Sequence, residues 1–210
     1  ILRVFPEAKA IVLWRNPLAV AASIIETFAS GNWNLGYFRF DLFQGFAGLL
    51  QSLDEHGDRI LSLHYEKFVS DPETWTRKIC DYLDIDYHEQ MLFQYADVDL
   101  GGSMGDHVGI RKYRAISPKS LDKWKQTLHN PIRKCWALKY LQWLGTRKLA
   151  RAGYDLEVLL SELRTSPTTG QRLLADFARI VWHELRETFC VAQAAKNVQE
   201  RLHGRSRFYG

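Results

Sequence analysis

The sequence is poor in cysteine, in long apolar runs and in low-complexity tracts. Its three cysteines, Cys80, Cys135 and Cys190, are odd in number and far apart. Such a set offers neither a disulfide framework nor metal-ligand spacing, and it fits a reducing compartment. No His/Cys/acid cluster has ligand spacing elsewhere, so no metal is implied. No apolar run is long enough to cross a bilayer, and nothing has the layout of a signal peptide. The chain opens on Ile1, and the stretch ILRVFPEAKAIVLW reads as the middle of a fold. An N-terminal portion, with any targeting segment, is therefore expected to precede it. There is no internal repeat, and no helix-turn-helix, zinc-finger or RNP motif, which leaves no nucleic-acid reading.

What is present is ordinary globular sequence. The 210 residues are 46% hydrophobic and 25% charged, and 13% aromatics with seven Trp argue against disorder. That length suffices for one domain, or one domain with a helical appendage. The net charge of +4 conceals an asymmetry. Residues 54–106 carry 13 acids against 4 Lys/Arg, a net of −9, whereas residues 111–151 carry 12 Lys/Arg against one acid, Asp122, a net of +11. A basic block of that density faces an anionic ligand, the acidic block beside it, or solvent.

Residues 10–14 (AIVLW) form a short continuous apolar run, the pattern of a strand buried on both faces. Asn16-Pro17 then supplies an N-cap and a first-turn proline, and residues 17–29 read as helix. Residues 30–40 read as an aromatic-rich loop and 41–56 as helix. Residues 59–65 (RILSLHY) read as a second strand, and Asp71-Pro72-Glu73 opens a helix running to about Leu83. Strand, helix, strand, helix predicts an α/β fold with a parallel sheet. Residues 97–119 look irregular; helices are expected at 120–128, 131–145 and 155–164. A long amphipathic helix is expected over 171–203, with no visible chemistry of its own.

Arg15 ends the first strand, where open α/β sheets bind ligands. A helix N-terminus beside it offers free N–H groups and a positive dipole, and an Arg supplies a two-pronged fork for the same anion. Ser23 lies two turns into that helix. Arg15 pairing with an acid, and Ser23 bonding its own helix backbone, is the alternative.

At these residues the sequence resembles the sulfotransferase family that uses 3'-phosphoadenosine 5'-phosphosulfate (PAPS). FPEAKAIVLWRNPLAVAASIIETF is similar to the family's 3'-phosphate-binding segment, with Ser eight residues after the Arg. The resemblance implies that Arg15 and Ser23 hold the 3'-phosphate. ILSLHYEKFVSDPETWTRKICDYLDIDY is similar to the strand–Tyr-Glu–helix segment, which implies an adenine contact for Tyr65 and a structural role for Glu66. Residues 107–128, ending in Trp124-Lys125, resemble a basic loop that closes over the nucleotide. There Arg111 and Arg114 are the candidates, with Lys112 and Lys119 behind them.

The resemblance covers residues 1–153. It implies a P-loop-like three-layer fold with a central parallel sheet whose N-terminal part is missing, followed by a helical extension over 154–210. The family's other motif, a Gly-containing loop that binds the 5'-phosphosulfate, is not found: there is no Gly-x-x-x-x-Gly-Lys-Ser/Thr and no Lys/Arg-Ser/Thr-Gly-Thr-Thr. Ser166–Gly170 lacks the preceding strand. The catalytic base and the loop Lys/Arg are expected before residue 1, so the chain alone is expected to have little activity.

PAPS is thus the expected cosubstrate, without a metal. The acceptor, a hydroxyl or amine on a carbohydrate, lipid or small molecule, is not readable. Trp33, Tyr37, Phe38 and Phe40 are candidates to line its pocket, or to pack a core, and His107 is a weaker candidate acid or base. A non-catalytic interaction protein, using its basic 111–151 block and C-terminal helix, is the competing reading; a P-loop kinase relative is a third. A cytoplasmic location is expected, with a Golgi lumen as the alternative. The oligomeric state is open.

Overall fold

The computed structural model describes residues 2, 4–93, 116 and 118–188. Strand β1 spans Ala10–Trp14 and helix α1 spans Pro17–Ala29. The turn between them is set by Asn16, whose side-chain oxygen accepts the Leu18 N–H at 2.9 Å. Pro17 then starts the helix with its ring pre-set to helical φ. Leu18, Ala21, Ala22 and Ile25 recur at helical spacing and are all buried. Ser30 closes α1 in the left-handed conformation (φ 49°), and Gly31 follows at φ 81° with its N–H on the Ile25 carbonyl at 3.0 Å.

The expected loop after α1 contains a 3-10 turn at Leu35–Phe38, and the next helix starts as a π-helix at Phe40–Gly45 before continuing as α2, Phe46–His56. Strand β2, Ile60–His64, lies parallel to β1 in the register Ala10↔Ile60 to Trp14↔His64. Two short helices follow, α3 at Tyr65–Ser70 and α4 at Pro72–Leu83. The Asp71-Pro72 pair opens α4 as the sequence suggests, with the Asp71 carboxylate accepting the Thr74 N–H at 3.2 Å.

The rest of the described chain is helical: α5 (Lys123–Thr127), α6 (Pro131–Arg151), α7 (Leu156–Thr165) and α8 (Leu173–Thr188). Asn130-Pro131 repeats the cap-and-proline start at α6, and Asp155 caps α7. Gly145, at φ 68° and ψ 165°, interrupts α6 where the helix was expected to stop, and the chain resumes helix beyond it. The helix expected over 171–203 is seen as α8; residues beyond 188 lie outside the described part.

The architecture is α/β and mostly helical, with a two-stranded parallel sheet among the described residues. These residues supply two strands of the parallel sheet that the sequence predicts. β1 departs from the expected strand buried on both faces. Val12 and Trp14 face the main core, whereas Ile11 and Leu13 are 38% and 51% exposed. That core joins β1 and α1 to α5, α6 and α7, through residues such as Trp124, Leu141 and Leu160. α7 therefore shares the core with β1 and α1.

Helix α8 is held by a buried ion pair. Arg133 and Asp176 are each 1% exposed. Arg133 Nε and Nη2 donate to the two Asp176 oxygens at 2.6 and 2.9 Å. Nη1 donates to the Thr127 carbonyl and Nη2 also to the Gly31 carbonyl, both at 2.8 Å, while Asn130 Nδ2 donates to Asp176 at 2.6 Å. A charged pair survives burial only when its polar atoms are satisfied this fully. Further along α8, the His183 ring packs so closely on Gly36 that a Cβ there would lie 2.6 Å from Nε2.

Candidate functional site

The parallel register that pairs Trp14 with His64 makes the next residues of both strands neighbours: Arg15 and Tyr65. The guanidinium carbon of Arg15 sits 4.6 Å from the Tyr65 ring centroid, a cation–π contact that fixes the direction of the fork. Both side chains are half-buried. Among the described residues Arg15 makes no ion pair, and Ser23, half-buried on α1, makes no side-chain hydrogen bond. The Tyr65 hydroxyl lies 3.0 Å from Ser120 Oγ, which ties the β2–α3 corner to the turn before α5.

The helix end contributes less than expected. Pro17 has no N–H, and the Leu18 N–H is taken by Asn16. What α1 offers an anion is its dipole and the Ala19 N–H, with Arg15 as the charged donor.

The turn is braced from below by Glu66. One of its oxygens accepts the Asn16 N–H at 2.7 Å, and the other accepts the Tyr154 hydroxyl at 2.9 Å. Tyr154 arrives from the α6–α7 junction, which is locked onto β2. The Ala152 carbonyl is 2.9 Å from His64 Nε2, the His64 and Tyr154 rings meet edge-on at 5.6 Å, and Gly153, at φ 80°, leaves room for the His64 ring where a Cβ would collide. Burial first, then the Glu66 charge and its hydrogen bond, push the Tyr154 hydroxyl pKa well up, against a smaller opposing pull from Arg15. Tyr154 is therefore a fixed donor to Glu66.

Of the residues singled out from the sequence, the structure brings Arg15 and Tyr65 together. Arg111, Arg114, Lys112 and His107 lie outside the described residues, as does the Lys119 side chain. The basic block is partly inward-facing. Arg133 is in the core, Lys134 donates to the Ser166 carbonyl, Arg151 bonds Asp54, and Lys125 pairs with Asp122. Trp124 is buried at 2%. Trp33 is buried edge-on to Trp136, Phe38 packs on Phe28 and Tyr37 on His183, and Phe40 is 67% exposed. Ser120 and Tyr154 were not anticipated. A Ser in a basic loop and a Tyr after a Gly carry no pattern, and only the tertiary pairing identifies them.

Among the described residues no group of three or more His, Cys, Asp or Glu is arranged to hold a metal ion, and no helix is long and apolar enough to cross a membrane.

Residues 1–89 match the model of a sulfotransferase family. The chain is 24% identical over 164 residues to protein-tyrosine sulfotransferase 1 of Danio rerio, an alignment covering 73% of this chain and 44% of that protein. The chain thus spans less than half the length of that curated relative. No solved structure gives a significant match.

Proposed function

We propose, on the premise that residues 1–89 are sulfotransferase-family sequence, that the chain carries the nucleotide 3'-phosphate half of a PAPS site. In that reading Arg15 forms charge-assisted bonds to the 3'-phosphate, Ser23 adds a hydroxyl along the flank of α1, and Tyr65 borders the adenosine. The whole protein would move a sulfonate from PAPS to a hydroxyl or amine. The acceptor atom attacks sulfur, the bond from sulfur to the 5'-phosphate oxygen breaks, and adenosine 3',5'-bisphosphate leaves. The relative's name adds a protein tyrosine to the carbohydrate, lipid and small-molecule acceptors considered. Such transfer depends on positioning and on positive groups at the moving centre. This sequence holds no 5'-phosphosulfate loop motif, so we expect little turnover from the chain alone; measured turnover would refute that.

The observation that supports the reading best is the Arg15 fork. It is half-buried, aimed by the Tyr65 ring, and without a carboxylate partner among the described residues. Calorimetric titration with adenosine 3',5'-bisphosphate and with adenosine 5'-monophosphate tests it. The wild type should prefer the 3'-phosphorylated ligand. Arg15→Ala should lose about 10- to 100-fold in affinity for it, the worth of a charge-assisted hydrogen-bond pair.

One observation favours the second reading, a partner-binding protein. Leu174, Phe177, Val181, Trp182 and Leu185 form an exposed apolar stripe on α8. A folded wild type that ignores both nucleotides would bring that reading forward.

A further inference from the structure

We infer that Tyr154 is a positioning residue for the anion site, holding the Glu66 carboxylate away from Arg15. The inference rests on the 3'-phosphate reading and extends it to a residue beyond the family-matching stretch, which ends at residue 89.

Glu66 is next in sequence to Tyr65, the ring on which Arg15 lies, and it accepts a bond from Asn16, the residue after Arg15. A carboxylate so placed is the natural rival of any anion for the guanidinium. Two donors set its direction, the Asn16 N–H at 2.7 Å on one oxygen and the Tyr154 hydroxyl at 2.9 Å on the other, and that orientation restrains it. The two clamps differ in kind. The Asn16 clamp is backbone, made by the turn itself. The Tyr154 clamp is a side chain delivered by the α6–α7 junction, whose place is fixed by the Ala152–His64 bond, by the Tyr154 N–H on the Leu149 carbonyl at 2.9 Å, and by the left-handed Gly153.

Removing the hydroxyl frees one Glu66 oxygen in a half-buried setting. A partly desolvated carboxylate oxygen left without a donor takes the nearest cation. On the Tyr65 ring, and one residue before the Asn16 N–H that Glu66 accepts, sits Arg15. The freed oxygen would turn to it, and an incoming phosphate would have to displace that contact.

The test compares wild type, Tyr154→Phe, Glu66→Gln and the Tyr154→Phe/Glu66→Gln double variant. The readout is the ratio of affinities for adenosine 3',5'-bisphosphate and adenosine 5'-monophosphate, with thermal midpoints as the folding control. Tyr154→Phe should lower the ratio about tenfold, the scale of one charge-assisted contact. In the double variant the Gln oxygen still accepts from Asn16 but carries no charge to compete for Arg15, so the ratio should return towards wild type. A purely supporting Tyr154 predicts the opposite, a double variant at least as impaired as the single one, and that result overturns the inference. So does an unchanged ratio in Tyr154→Phe. A wild type that shows no preference for the 3'-phosphate instead overturns the nucleotide reading itself, before Tyr154 is in question.

Discussion

Replacing Asp176 by Ala should be among the most damaging single changes in the chain. The carboxylate accepts three side-chain bonds, from Arg133 Nε, Arg133 Nη2 and Asn130 Nδ2. Its loss leaves Arg133 in the core at 1% exposure, with only the Thr127 and Gly31 carbonyls and no counter-charge. Stranding one member of a buried pair costs about 3–5 kcal/mol. For a chain of this length each kcal/mol lowers the thermal midpoint by roughly 2–4 °C, so the drop should be roughly 6–20 °C. Urea unfolding followed by tryptophan fluorescence gives the free energy directly. The double replacement Arg133→Met/Asp176→Leu removes both charges and should recover part of the loss, because the Thr127 and Gly31 carbonyls and the Asn130 amide still lose a partner. A single variant that loses less than about 1 kcal/mol would mean that the pair behaves as a solvated surface bridge, and the account of how α8 is held would be wrong.

Two further outcomes concern the buried tyrosines and the α6–α7 junction. Tyr140 and Tyr154 are both raised in pKa on folding, by burial first and, for Tyr154, also by Glu66, so the fold retains their protons more tightly than the unfolded chain does. Their contribution to stability is whole below about pH 10 and declines as pH rises above it; denaturant midpoints should fall less steeply there in the corresponding Phe variants. Gly153→Ala should cost about 1–3 kcal/mol, because φ is +80° and the added Cβ meets the His64 ring; circular dichroism melts would show it, and a neutral result would mean that the junction can shift.

The local grammar of the fold was legible. Strand Ala10–Trp14 and helix Pro17–Ala29 fall where the apolar run and the Asn16-Pro17 pair put them, because hydrophobic period and capping chemistry are short-range. The same rule placed the start of α4. Less visible was anything decided by what a strand packs against. AIVLW reads the same whether both faces are covered or one, and here Ile11 and Leu13 look outward. At the site, Arg15 and Tyr65 were named separately, but their contact depends on the zero-offset register of two strands 50 residues apart. Glu66 was expected to be structural, and its bonds to Asn16 and Tyr154 give that role a geometry. Arg133 looked like one more charge in a basic block. Its burial depends on Asp176, 43 residues later, which no local pattern ties to it.

The brace beneath Arg15 also has a history in time. The Asn16–Glu66 bond spans 50 residues and the Tyr154–Glu66 bond 88. The entropy of closing a loop grows only with the logarithm of its length, so the longer closure costs just about 0.5 kcal/mol more than the shorter. Rate is another matter, because contacts between distant residues form late. During synthesis the turn bearing Arg15 leaves the ribosome well before Tyr154, and Glu66 stays half-clamped until the α6–α7 junction has been made and docked. Within the described chain, the cradle is translated before the junction that completes it.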